Sequence, residues 1–218
     1  MDLPTLSSSL LDCQRCQLST GRTQVVFGTG NPQASIMFVG EAPGFYEDRE
    51  GVPFVGAAGK LLTELLQTIG LERSDIYIAN VIKCRPPNNR DPLPDEINTC
   101  KPFLLQQIEL IEPKLVCTLG NFATQTLLDR KVGITKVRGQ AIRLEHFVVF
   151  PLLHPAAALH QNTLRTPLKE DFKKLKAVLE EMSKAPTLPN ATSSPTLPSS
   201  KEPQKETPAD PPTQMSLF

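Results

Sequence analysis

The chain has 218 residues, 39% of them hydrophobic, with 23 Lys+Arg balanced by 23 Asp+Glu, five cysteines and no tryptophan. That length suits one or two domains with a real core, and zero net charge excludes a uniformly basic protein that holds nucleic acid by bulk attraction. No run approaches the ~18 consecutive apolar residues of a membrane helix, and MDLPTLSSSLLDC at the start has no basic region before an apolar stretch, so a cytoplasmic protein with reduced thiols and no membrane partner is expected.

In chain order, the helix-like TLSSSLLD precedes Cys13 and Cys16. Ser35-Ile36-Met37-Phe38-Val39, ending at Gly40, reads as a buried strand. Ala58, Leu61, Leu62, Leu65, Leu66 and Ile69 fall on one helical face, with Gly70 as the stop. Ile76–Ile82 is a second strand. Pro94, Asp95 and Glu96 suit a helix start, but Pro102 is expected to prevent one uninterrupted helix from there to Ile111. Leu115–Leu119 is a third strand and Phe122–Leu128 a helix. Phe147–Leu152 is a fourth strand, with an antiparallel partner expected near Ala141–Leu144, and Leu168–Met182 forms a closing helix. Strands alternating with helices predict an α/β domain with a largely parallel sheet, whose ligands bind beyond the carboxyl ends of the strands. Gly40–Gly44, Asn80 with Lys83–Pro87, and His154–Ala157 all fall at such ends.

Residues 183–218 hold 8 of the 21 prolines in 36 positions, with many Ser and Thr and almost no large apolar side chains before the last four. Such a segment cannot bury enough surface to offset its ordering entropy, so a globular domain over 1–182 and a disordered tail over 183–218 are expected.

Cys13 and Cys16 form a C-x-x-C pair, while Cys84 and Cys100 have fifteen residues between them. Two intervening residues let both thiolates face one metal centre, and two more sulfurs complete four ligands for zinc or an iron–sulfur cluster. Spacing does not choose between those metals. A thioredoxin-like redox pair follows a strand and starts a helix, unlike this one. Cys117, mid-strand, reads as a small core residue.

Gly40-Glu41-Ala42-Pro43-Gly44 with Glu47-Asp48, then Gly51-Val52-Pro53-Phe54-Val55-Gly56, then Asn80-Val81-Ile82-Lys83-Cys84-Arg85-Pro86-Pro87, and His154-Pro155-Ala156-Ala157 together resemble the family-4 uracil-DNA glycosylases. These are the iron–sulfur members of the uracil-DNA glycosylase superfamily, and the match spans about residues 10 to 180. The resemblance implies a three-layer α/β/α fold around a mostly parallel four-stranded sheet. It also implies a [4Fe-4S] cluster on Cys13, Cys16, Cys84 and Cys100, and a monofunctional, monomeric enzyme that releases uracil from DNA and leaves an abasic site. By the same resemblance Phe54 is the wall of the uracil pocket, Asn80 its reader and His154 a donor to the departing base. Gly40 and Ala42 contribute backbone contacts, Glu41 lies beside the scissile bond and positions water, and Glu47 and Asp48 structure the loop. A non-catalytic iron–sulfur or zinc DNA-binding protein, or a glycosylase for another deaminated base, are the alternatives.

The chemistry suits these residues. A base must leave the stack before its glycosidic bond is cut, and a pocket must then read its pairing edge. One Asn amide accepts from uracil N3–H and donates to O4, whereas cytosine presents the opposite pattern. A donor aimed at the leaving anion lowers the barrier by about 2.7–4 kcal/mol. Arg130–Arg143 carries Lys136 and Arg138 among five basic residues and no acid, and Lys83 with Arg85 adds a second basic segment. Both are expected to meet phosphate. Family members often follow the histidine motif with an aromatic or leucine pair and an arginine; here Ala158-Leu159-His160-Gln161 departs, and Arg165 is the candidate for the missing charge. Gln214, Leu217 and Phe218 end the chain in a peptide that resembles the motifs with which bacterial repair proteins bind the replication sliding clamp.

Overall fold

The computed structural model describes residues 1–184; the expected tail and its clamp-type peptide, Gln214, Leu217 and Phe218, lie outside the described residues. Helix α1 (Leu3–Ser8) is capped by Asp2, whose carboxylate accepts from Thr5 N. Strands β1 (Thr29–Gly30) and β2 (Ile36–Gly40) follow. Helices α2 (Phe45–Glu50) and α3 (Ala57–Thr68) then lead to β3 (Tyr77–Asn80). Helix α4 (Pro94–Ile111), β4 (Leu115–Leu119), α5 (Asn121–Leu128) and α6 (Ile134–Val137) continue the alternation. Strands β5 (Ile142–Arg143) and β6 (Val148–Leu152) precede α7 (Pro155–His160) and α8 (Arg165–Lys184).

The sheet has six strands in the order β1-β3-β2-β4-β6-β5. Its centre is the expected parallel four, β3-β2-β4-β6, and a short antiparallel strand closes each edge. The four-stranded expectation is therefore extended by two, of which β5 lies within the anticipated 141–144 and β1 went unread.

Alternate strand residues face opposite layers. Phe38, Ile78, Cys117 and Phe150 pack with Leu62, Leu65 and Leu66 of α3 and Phe172 and Leu175 of α8. Met37, Val39, Tyr77, Val116 and Val149 pack with Leu104 and Ile108 of α4 and Ala123 of α5. The result is three layers, helices on both faces of one sheet, as parallel strands require. Cys117 is fully buried.

One expectation fails within α4. The helix runs unbroken from Pro94 to Ile111 with Pro102 inside it. Proline removes one helical donor and crowds the preceding turn, at a cost of about 3 kcal/mol. Burial of Phe103, Leu104, Gln107, Ile108 and Ile111 along the following turns offsets it. Among the described residues no helix is long and apolar enough to cross a membrane.

Candidate active site

Chain order in the sheet reverses around β2: the next strand, β3, lies on one side and β4 on the other. Such a switch point opens a crevice at the carboxyl ends. Gly40 ends β2 and Asn80 ends β3, directly paired in register. A Cβ on Gly40 would collide with Asn80 Oδ1 and come within 2.7 Å of the Phe54 ring. The bare backbone of Gly40 thus forms the floor on which amide and ring converge. Asn80 is 2% exposed, and its Oδ1 is buried without a hydrogen-bond partner. Leaving such an acceptor unsatisfied costs about 1–3 kcal/mol, which a ligand N–H at that point recovers.

Phe54 is buried with φ of 57°, the left-handed region that an aromatic residue rarely occupies. Neighbours on both sides hold it there. Arg73 donates to the carbonyls of Pro53 (2.9 Å) and Phe54 (3.2 Å). Glu47 Oε1 accepts from the amides of Val55 (3.1 Å) and Gly56 (3.0 Å). The Phe54 carbonyl also fills the space that a Cβ on Gly59 would need.

The Phe54 ring stacks on His154, with centroids 5.7 Å apart and planes 29° from parallel. His154 follows β6 and caps α7: its Nδ1 accepts from Ala156 N at 3.1 Å. In the neutral ring that bond puts the proton on Nε2, making Nε2 a donor. Burial pushes the imidazole pKa down to about 4, against an opposing pull from Glu47, so the ring is neutral at physiological pH. Gly120, with φ of 90°, leaves room for it: a Cβ there would sit 3.3 Å from that of His154.

Glu41 follows Gly40, and its carbonyl accepts from Ile82 N at 3.1 Å. Burial, with a smaller contribution from Asp91, pushes its carboxyl up to about 7. Ala42 is half-buried beside it. Asp48 is buried and accepts from Thr23 N at 2.9 and 3.1 Å. Both acids of the Glu47-Asp48 pair therefore brace loops, as expected.

Cys13, Cys16, Cys84 and Cys100 line one cavity, together with Leu10, Val25, Phe103, Arg22 and Lys83. All four are free thiols. Arg22 bridges two of their segments, donating to Cys13 O at 2.6 Å and to Cys84 Sγ at 3.5 Å. Among the described residues no three His, Cys, Asp or Glu side chains converge on a point as a single metal ion demands.

The family model described as the Uracil DNA glycosylase superfamily matches residues 27–181. The chain belongs to this superfamily. Three relatives named type-4 uracil-DNA glycosylase place it more closely. The protein of Sulfurisphaera tokodaii is 50% identical over 184 residues, 80% of this chain and 83% of that one. That of Archaeoglobus fulgidus is 46% identical over 181 residues, 79% and 91% of the two chains. That of Thermotoga maritima is 48% identical over 180 residues, 81% and 94%.

The basic residues of this glycosylase-superfamily chain divide in two. Lys83 is 2% exposed and donates to the Asn80 carbonyl at 2.7 Å and to Gln107 Oε1 at 2.5 Å, so it cannot meet phosphate as expected. Arg138 donates to the Pro167 carbonyl and to the fully buried carboxylate of Asp171. That pairing gives it a structural task in place of the expected phosphate contact. Lys136 and Arg165 are exposed, although Arg165 Nε also reaches the Ala158 carbonyl at 3.3 Å. Arg85 lies over the ring of Phe45 at 5.1 Å. Arg73, Gly59 and Gly120 carry no signal of their own in the sequence, because their work is to shape the chain around Phe54 and His154 and shows only in the fold.

Proposed function

We propose that this chain hydrolyses the N-glycosidic bond of uracil in DNA, releasing free uracil and leaving an abasic site. The observation that carries the reading is the unpartnered, buried Oδ1 of Asn80 between the Gly40 backbone and the Phe54 ring. Uracil N3–H satisfies that acceptor while the Asn80 amide donates to O4; cytosine, with an acceptor at N3 and a donor at C4, would leave both partners mismatched. Phe54 covers a face of the base. His154, neutral and protonated on Nε2, donates to the oxygen on which negative charge grows as the bond breaks. Its depressed pKa supports a donor that stays neutral rather than an acid that gives its proton away.

Glu41 is assigned to position the attacking water, and in its ionised form it offsets the positive charge developing on the sugar. Cys13, Cys16, Cys84 and Cys100 are assigned to a [4Fe-4S] cluster: they line one cavity and supply the four thiolates that such a centre takes. When bound, such a cluster supplies iron–thiolate bonds that cross-link the N-terminal segment, the loop after β3 and α4. Lys136, Arg85 and Arg165 are the remaining candidates for phosphate contacts. The division into a domain over 1–182 and a tail ending in a clamp-binding peptide is retained as a proposal from the sequence.

The test is to incubate cluster-loaded protein with a uracil-containing oligonucleotide, then measure free uracil and alkali-labile sites. Both are expected from the wild type and neither from His154→Ala. Tight binding without release would identify a binding module instead, and release only from a hypoxanthine strand would change the base.

A further inference from the structure

Helix α2 starts where the pocket segment Gly40–Gly44 ends, and its first two residues are aromatic and face water. Phe45 is 44% exposed and Tyr46 59%, and neither belongs to a hydrophobic cluster of the core. Their rings meet edge to face at 5.4 Å and 83°. Two guanidinium groups lie over Phe45, Arg85 at 5.1 Å and Arg49 at 5.6 Å. Arg85 is oriented in turn by Asn89 Oδ1 at 2.7 Å. Tyr46 lies against the segment that follows Phe54, for a Cβ on Gly56 would sit 3.6 Å from its Cδ2. The next residue, Glu47, holds the amides beside Phe54.

Exposed aromatic side chains that leave the core intact point to a partner. This patch combines an open aromatic face with two cations and directly follows the segment that carries Gly40 and Glu41. We propose that Tyr46 is a stacking step for the base of the nucleotide adjacent to the extruded uracil, with Phe45 holding Arg49 and Arg85 where they meet its phosphate. The proposal rests on the glycosylase reading above. Extrusion deprives the neighbouring base of one stacking partner, and an aromatic face replaces it whatever the base, because every base has a π-face. The cations supply the phosphate attraction that zero net charge denies the molecule as a whole.

The experiment measures affinity for a fluorescent oligonucleotide carrying 2′-fluoro-2′-deoxyuridine, which resists cleavage, alongside inhibition by free uracil and thermal unfolding. Tyr46→Ala is expected to weaken oligonucleotide binding by roughly five- to hundredfold, the usual range for one base–aromatic stack, and Phe45→Ala, which releases both guanidinium groups, to weaken it for all sequences alike. Inhibition by free uracil stays unchanged, and Tyr46→Trp restores affinity. Arg49→Ala weakens binding to all sequences alike and lowers the slope of log affinity against log salt by about one. Folded alanine variants that bind the oligonucleotide within about twofold of wild type would overturn the stacking step alone. Equal losses for oligonucleotide and free uracil would also overturn it, by locating the effect in the pocket. A wild type that neither binds nor cleaves uracil-containing DNA would overturn the glycosylase reading along with it.

Discussion

The ammonium of Lys83 donates to the main-chain carbonyl of Asn80 at 2.7 Å, three residues back along the chain and at the end of β3. Lys83 immediately precedes a cysteine of the four-thiol cavity, and Gln107 on α4 fixes its other side and donates on to the Phe27 carbonyl at 2.9 Å. The base reader and the cysteine-bearing segment thus share one buried donor. Replacing Lys83 by Met leaves the Asn80 carbonyl and Gln107 Oε1 unpaired, at about 1–3 kcal/mol each. Lys83→Met is expected to unfold several degrees lower and to bind free uracil more weakly, measured by thermal scanning and product inhibition. An unchanged inhibition constant would separate the reader from this contact.

Gly40 tolerates no side chain without moving both Asn80 and Phe54. Gly40→Ala is expected to cut kcat/KM by about a hundredfold, the scale of a misplaced catalytic group. Because the displaced atoms are side chains, circular dichroism and the unfolding midpoint should change little. A fully active Gly40→Ala enzyme would place the base elsewhere.

Phe54 occupies a backbone conformation that glycine adopts freely and alanine does not. Both Phe54→Ala and Phe54→Gly remove the ring and should abolish efficient cleavage. Phe54→Gly should nevertheless be the more stable of the two by about 1 kcal/mol, since left-handed geometry burdens a residue with a Cβ. Denaturant melts of the pair decide it; the reverse order would mean that the loop relaxes once the ring is gone.

The raised carboxyl of Glu41 gives two pH dependences of opposite sense. Single-turnover cleavage should rise with pH through about 7 as the carboxylate forms, and Glu41→Gln should lower the rate and flatten this limb. Stability behaves inversely. The folded-state pKa lies above the ordinary carboxyl value of 4.5, so the contribution of Glu41 is full below that value and lost as pH climbs through about 7. Glu41→Gln should therefore gain more in unfolding temperature at pH 8 than at pH 5.

Asp171 is fully buried, and Arg138 donates to it. Arg138→Ala is expected to cost about 3 kcal/mol of stability, since it strands a buried carboxylate with only Lys174 at 3.7 Å nearby. Affinity for DNA, measured well below the new unfolding temperature, should hold. A large affinity loss with normal stability would reinstate the phosphate contact.

Residues whose role depends on chain periodicity were legible: the four parallel strands, the faces of α3 and α8, and the placement of Gly40, Asn80 and His154 at strand ends. The two-residue edge strand β1 leaves no alternating pattern to read, whereas β5 is legible as the partner of the longer strand that follows it. Charge in a sequence says nothing of its partner, so Lys83 and Arg138 looked like phosphate contacts until Gln107 and Asp171 came alongside them. Phe54 was visible as an aromatic in a motif, whereas its left-handed backbone and the grip of Arg73 emerge only from the fold. Pro102 suggests a break on local propensity alone, and the burial that keeps α4 whole comes from neighbours that meet it only in the fold.

Val81 N donates to Gly40 O at 2.9 Å, and Gly40 pairs in register with Asn80 on the two neighbouring central strands. The floor of the pocket and its reader are therefore part of the sheet rather than a lid over it. Local opening, which frees a loop at little cost, has no purchase on such a position. The amide of Val81 should exchange with solvent only when the whole domain unfolds, so that recognition and fold disappear in one cooperative step.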